Sequence, residues 1–281
     1  MRNYTIRTMT RPEIDIAVEW AAKEGWNPGL QDADSFYAAD PNGFLIGLLD
    51  GEPIACISAV QYGNSFGFIG FYIVKPEYRG KGYGIQIWNA ALKYLEGRNV
   101  GLDGVLAQQE NYQKSGFELA YRNIRFEGKS KSRYPRSMAL VDFSMIYFGE
   151  IQAYDSAFFP DNRDAFLQSW IRQKDSIGFG IYEEGELAGY GLIRKCRLGY
   201  KIGPLFADNA ELAELLFLAL TSKIPPKETF YFDTPDINKA AVSLAEKYGM
   251  TKVFETARMY NQSNPDIDLQ SLFGVTTFEL G

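Results

Sequence analysis

Apolar and polar positions along this chain recur at two periods, and the switches between them divide it into elements. Tyr4 to Met9 alternates and predicts a strand. Thr10-Arg11-Pro12 then opens a helix over 13–24, in which Ile14, Ala17, Val18 and Ala21 return at helical spacing. Gly25-Trp26-Asn27-Pro28-Gly29 breaks it, and a short helical stretch at Asp32–Ala39 leads to the turn Asp40-Pro41-Asn42-Gly43. Phe44 to Leu49, Asp50-Gly51-Glu52 and Pro53 to Val60 read as a hairpin. Phe66–Val74 is continuously apolar, as a buried strand should be. A helix carrying Ile85, Trp88, Ala91, Leu92 and Leu95 follows. A strand at Val100–Val105, a short helix ending in Tyr112-Gln113-Lys114-Ser115-Gly116-Phe117, and a strand near Leu119–Phe126 complete this half.

Residues 127–137 are polar, basic and rich in turn formers, and mark an exposed connector. Arg133 and Arg136 belong to it, read as solvated linker residues or as a device steering an anionic group. Beyond it the pattern repeats. Phe44 to Ala55 is echoed by Gly178 to Gly189, and Tyr112-Gln113-Lys114-Ser115-Gly116-Phe117 by Ala245-Glu246-Lys247-Tyr248-Gly249-Met250, both at an offset of about 133 residues. The chain therefore reads as two copies of one α+β unit, 1–127 and 143–281, joined by a connector at 128–142.

Composition narrows the function. A chain of 281 residues with 46% hydrophobic and 15% aromatic residues can bury a large core, and it has no apolar run long enough to cross a bilayer. The net charge of −6 argues against a nucleic-acid surface. The first residues lack the apolar core of a signal peptide, so a cytoplasmic location is expected. Histidine is absent, which excludes Ser-His-Asp and Cys-His machinery and imidazole metal sites. Proton transfer must use carboxylates, Tyr, Lys, Cys or water. Cys56 and Cys196 each lie in an apolar strand-like segment and read as buried structural thiols.

Between the strand at 66–74 and the next helix stands Arg79-Gly80-Lys81-Gly82-Tyr83-Gly84. Closely spaced glycines let backbone amides approach an anion, and the helix N-terminus adds positive potential. A plain glycine-rich turn is the alternative. Walker A is excluded because Gly82 follows Lys81, and the dinucleotide fingerprint because Ile85 stands where a glycine is needed.

Val74-x-Pro76-x-Tyr78-Arg79-Gly80-x-Gly82-x-Gly84, with Tyr112-x-Lys114-x-Gly116-Phe117, resembles the acyl-CoA signature of the GNAT N-acetyltransferase superfamily, and the likeness runs in order through residues 3–127. The resemblance implies two tandem GNAT-like domains, each a mixed, mostly antiparallel, splayed sheet flanked by helices. It implies acetyl-CoA as cosubstrate without a metal, the backbone of Tyr72, Ile73 and Val74 on the pantetheine arm, and the amides of Arg79, Gly80, Lys81, Gly82, Tyr83 and Gly84 on the pyrophosphate. Lys114 joins the cofactor-binding set, and Tyr112 becomes the general acid for the departing thiolate. One position departs: the helix-opening Asn expected about seven residues before this Tyr is Val105. The second copy keeps that Asn as Asn238, has Ala245 in place of the Tyr, and runs from Ala207 almost directly into a helix with no glycine loop. It reads as a degenerate copy that packs on the first and helps wall its site.

For the base, Asp103 and Glu24 are the candidates, beside a water chain to solvent. Asp103 aligns with Asp233 of the second copy, which favours a structural acid, and an ordinary solvated helix-end acid is the alternative for Glu24. Trp26, Asn27, Phe66 and Phe68 are the candidate acceptor-pocket residues, with ordinary core packing the alternative for the aromatics. The expected activity is direct acetyl transfer to a primary amine of a small molecule or amino acid derivative, in a monomer or homodimer. A non-catalytic acyl-CoA sensor or interaction module is the competing reading.

Overall fold

The computed structural model describes residues 3–131, 135, 137 and 139–281. Arg133 and Arg136 lie outside the described residues. The elements follow the hydrophobic pattern closely. β1 (Tyr4–Thr8) leads to α1 (Arg11–Lys23), whose entry is fixed by a capping box in which the Glu13 carboxylate accepts the Thr10 amide at 2.8 Å. α2 (Asp32–Ala39), the hairpin β2 (Phe44–Leu49) and β3 (Glu52–Tyr62), and β4 (Phe66–Val74) come next. α3 (Tyr83–Tyr94), β5 (Asn99–Val105), α4 (Gln109–Lys114) and β6 (Glu118–Lys129) complete the first half. The second half repeats the order: β7 (Leu140–Asp142), α5 (Phe148–Asp155), α6 (Asp164–Trp170), β8 (Ser176–Glu183), β9 (Glu186–Lys195), β10 (Tyr200–Ala207), α7 (Ala210–Thr221), β11 (Thr229–Pro235), α8 (Lys239–Lys247) and β12 (Thr251–Tyr260). It ends with a short additional strand, β13 (Leu272–Gly274).

The two halves share one sheet and exchange their last long strands. Its order is β1-β2-β3-β4-β5-β12-β6-β11-β10-β9-β8-β7, with β13 beside β10. β12 pairs with β5 of the first half, β6 pairs with β11 of the second, and β6 and β12 pair with each other. The sequence boundary at 127/128 falls inside β6, so the first unit draws a strand from beyond the connector. The sheet is mostly antiparallel, with parallel pairs at β4–β5 and β10–β11.

Those two parallel pairs open the sheet. The β4–β5 ladder runs from Phe66↔Asn99 to Ile69↔Leu102 and stops. The β3–β4 register slips across Gly70–Tyr72, where Phe71 takes a left-handed φ of 47°, and the bulge turns β4 away from β5. In the second half the β10–β11 ladder stops at Ile202↔Phe232, and the β9–β10 register slips at Gly203-Pro204. Here β13 fills the gap. Leu205 pairs with Gly274, and the Val275 amide bonds the Asp233 carbonyl at 2.9 Å. The chain then runs on through Thr276 to Gly281 towards the first half.

Candidate active site

The wedge between β4 and β5 opens into a cavity of about 540 Å³. Its first wall is Ile69 to Val74, which includes Tyr72, Ile73 and Val74. The Val74 carbonyl is already engaged, accepting from Arg79 Nε at 2.8 Å. The cavity mouth is the glycine loop, with Tyr78, Arg79, Gly80, Gly82 and Gly84 on its lining. Gly80 and Gly82 have φ of 73° and 82° with open space around them, so the backbone conformation, not crowding, requires glycine. The amides of Gly80, Lys81 and Gly82 have no partner among the described residues, and those opening α3 lack one as at any helix start. Unpaired amides at a twelve-residue helix, on an open loop, suit a pyrophosphate group. The Lys81 side chain lies over the Tyr78 ring, and Tyr83 packs against Tyr4.

Tyr112 enters the cavity from α4. Its ring lies on Gly104, where any Cβ would collide with it, and packs 5.6 Å from Trp88. Tyr112 lines the cavity, and its hydroxyl has no hydrogen-bond partner among the described residues. Burial, with a smaller contribution from Tyr72, pushes the phenol above the ordinary tyrosine value and keeps it protonated at neutral pH. The missing cap at Val105 leaves one 3-10 turn, Leu106–Gln108, between β5 and α4, and this shorter entry still delivers Tyr112. Lys114, exposed on α4, is outside the cavity lining.

The remaining walls are less local. Trp26 lines the cavity. Three neighbouring expectations are corrected. Asn27 turns away, its amide clasping the backbone of Leu198 at 2.8 and 2.9 Å. Phe66 lies in the core with Tyr62, Phe159 and Tyr260, and Phe68 lies beneath the Arg258 guanidinium at 5.0 Å. The positions they were expected to fill are taken by Phe71 and by Phe254, Thr256, Phe278 and Glu279 from the second half. Phe254 and Thr256 arrive on the exchanged strand β12. Phe278 and Glu279 arrive on the segment that leaves β13.

Three acidic residues line the cavity, although the side chain of Asp103 is itself fully buried. Glu24 is ion-paired with Arg79 at the mouth. Asp103 receives Arg258 Nη2 at 2.6 Å and Nε at 3.0 Å, with Asn123 Nδ2 at 2.8 Å. Glu279 accepts a hydrogen bond from the Thr277 hydroxyl and has no cation within ion-pair distance among the described residues.

In the second half the corresponding features are closed. Asn209 accepts the Leu212 amide at 2.9 Å and caps α7 where a glycine loop would stand. Asn238 accepts the Ala241 amide, and its Nδ2 donates to the carbonyls of Leu269, Gln270 and Leu272 at 3.2, 2.8 and 3.0 Å. The segment entering β13 thus occupies the second wedge.

A splayed sheet with a bulged strand, an open glycine loop at a helix start and a second, plugged copy defines a tandem of two GNAT folds. Profile comparison agrees: the description "Acetyltransferase (GNAT) family" matches residues 11–117 and "Acetyltransferase (GNAT) domain" matches residues 151–274. The chain is 30% identical over 280 residues to holothin acyltransferase of Pseudoalteromonas sp. (strain SANK 73390), covering 100% of this chain and 95% of that protein. It belongs to the GNAT acetyltransferase family. Among solved structures, a protein from Pyrococcus horikoshii described as a "Putative Acetyltransferase" superposes with a TM-score of 0.83 at 23% identity, over 99% of this chain and 96% of that one. A tandem GNAT protein from the clavulanic acid biosynthesis pathway superposes at 0.66 and 12% identity, over 94% and 99%.

Proposed function

We propose that this protein is an acetyl-CoA-dependent N-acetyltransferase that moves the acetyl group directly to the primary amine of a small molecule. The observation that carries this reading is the unbonded Tyr112 hydroxyl in the same cavity as the open glycine loop and the bulged edge of β4. The loop amides hold the pyrophosphate, the β4 edge aligns the pantetheine, and Tyr112 protonates the departing thiolate. The free amine attacks the thioester carbonyl within one cavity, so no acyl-enzyme is needed. Both cysteines are buried, and burial raises the thiol of each above the usual value, which makes them poor nucleophiles.

Trp26, Phe71, Phe254 and Phe278 give the acceptor end an aromatic lining, with acidic residues beside it. An amine on a flat apolar body suits such a pocket, and the relative named as a holothin acyltransferase supports a small-molecule acceptor. The test is thiol release from acetyl-CoA across a panel of aromatic and aliphatic amines. Turnover with at least one amine class is expected. Tight CoA binding with no turnover across the panel would favour the sensor reading.

A further inference from the structure

Glu279 approaches the cavity by an unusual route. The segment leaving β13 passes the bulge at Gly203, where a Cβ would sit 2.5 Å from the Thr276 carbonyl. It then crosses to the bulge of β4, where the Glu279 carbonyl lies so close to Gly70 that no side chain could stand there. Both halves hold it. Tyr62 of the first donates to the Leu280 carbonyl at 3.0 Å, and Arg163 of the second donates to Thr276 Oγ1 at 3.1 Å and to the Gly281 carbonyl at 3.4 Å. The result is a glutamate 3% exposed that lines the cavity, its backbone carbonyl against the β4 bulge beside which the thioester would lie and its carboxylate held by Thr277.

Its neighbours differ from those of the other two acids. Asp103 and Glu24 each have an arginine partner, and protonating either would break an ion pair. Glu279 has the Thr277 hydroxyl as its hydrogen-bond partner. Arg125, Arg194 and Lys201 feel its charge from a distance, within a buried cluster that also holds Asp32 and Asp233. It can accept a proton without breaking an ion pair.

We propose that Glu279 is the general base of the acetyl transfer, so that the plugged second half completes the active site of the first. The proposal rests on the acetyltransferase reading. The amine nitrogen forms the N–C bond as the carbonyl π pair moves to oxygen, and its proton passes to a Glu279 carboxylate oxygen. When the carbonyl re-forms, the C–S bond breaks and sulfur takes the Tyr112 proton. Return of a proton from Glu279 to the Tyr112 phenolate through solvent restores the enzyme, and the products are the amide and free CoA.

The test compares wild type with Glu279→Gln and Glu279→Asp on an accepted amine, measuring kcat and KM from pH 5 to 10, with calorimetric titration of acetyl-CoA and thermal melting alongside. Gln can still accept the Thr277 hydrogen bond. For Glu279→Gln, kcat at pH 7 should fall by about 10²–10³-fold with KM changed little. Its rate should climb towards the amine's own pKa as solvent performs the deprotonation, while the affinity for acetyl-CoA stays that of wild type. Glu279→Asp should recover part of the rate and keep the acidic limb of the profile. Wild-type kcat and an intact acidic limb in Glu279→Gln would overturn the assignment. So would a rise confined to KM for cationic amines, which would mark substrate recognition instead. A wild-type protein that acetylates no amine would remove the acetyltransferase reading itself.

Discussion

Arg258 grips Asp103 from the neighbouring strand, Nη2 at 2.6 Å and Nε at 3.0 Å, and the second half repeats the arrangement with Arg125 on Asp233 at 2.7 Å through both nitrogens. The arginines stand on the exchanged strands β12 and β6 and the acids on β5 and β11, so each pair ties one half's strand to the other's. Removing one partner of a buried pair costs about 3–5 kcal/mol because the other charge is left uncompensated. Asp103→Asn and Asp233→Asn should therefore destabilise by similar amounts, measured by urea unfolding. Below its unfolding transition Asp103→Asn should keep most of its kcat. A hundredfold loss of kcat in fully folded Asp103→Asn would make Asp103 the base and overturn the view of it as a strand clamp.

Tyr112→Phe removes one oxygen from a ring that Gly104 and Trp88 already hold in place. The expected loss in kcat is about 10²–10⁴-fold with acetyl-CoA affinity unchanged, since the ring is kept and only proton donation goes. Burial raises the phenol's pKa, so loss of the acid should impose no basic limb on kcat below about pH 10. The same shift bears on folding. Tyr62, Tyr112, Tyr121 and Tyr190 are all raised by burial, so their contribution to stability is complete below the unfolded value near 10 and is lost as pH rises through the folded values. Alkaline unfolding that begins above about pH 10 is the expected circular dichroism result.

Gly82→Ala tests the loop. The site has room for the methyl but the φ of 82° does not suit an L-residue, which costs about 1–2 kcal/mol. If the loop relaxes instead, its amides lose their alignment. Affinity for acetyl-CoA should weaken by about tenfold while the melting temperature moves by a few degrees at most. Unchanged affinity would show that these amides do not hold the pyrophosphate.

The sequence made the local parts of this site legible, because a glycine loop between a strand and a helix and a Tyr four residues before Gly116 are continuous stretches whose chemistry depends on spacing. It also gave the twofold repeat, and the offset of 133 residues separates Arg125 from Arg258 as it separates Tyr112 from Ala245. Strand exchange was not legible, since β6 and β12 have the same alternating pattern whichever half they join, and pairing partners are a long-range choice. The acceptor wall failed for that reason. Phe66 and Phe68 are near in sequence and aromatic, but two residues apart on β4 they share one face, which turns both into core, while Phe254 and Phe278 come from beyond residue 250. No local signal marks Glu279, whose position depends on a bulge at Gly70 and a plug in the second wedge.

Asn238 offers a test at a distance. Its amide holds the carbonyls of Leu269, Gln270 and Leu272 far from the cavity, at the point where the final segment enters the second wedge. In Asn238→Ala these carbonyls, that of Leu272 buried, and the α8 cap lose their partner, with a stability cost of about 1–3 kcal/mol. The segment from 269 onward should then exchange its amide hydrogens faster, as followed by hydrogen–deuterium exchange. Because Phe278 and Glu279 are carried by that segment, kcat should fall even though nothing in β4, α3 or α4 has changed, while acetyl-CoA affinity, which the proposed function assigns to the glycine loop and the β4 edge, should hold. Faster exchange at 269–281 with undiminished kcat would mean that the segment only plugs the second wedge and contributes nothing to turnover in the first.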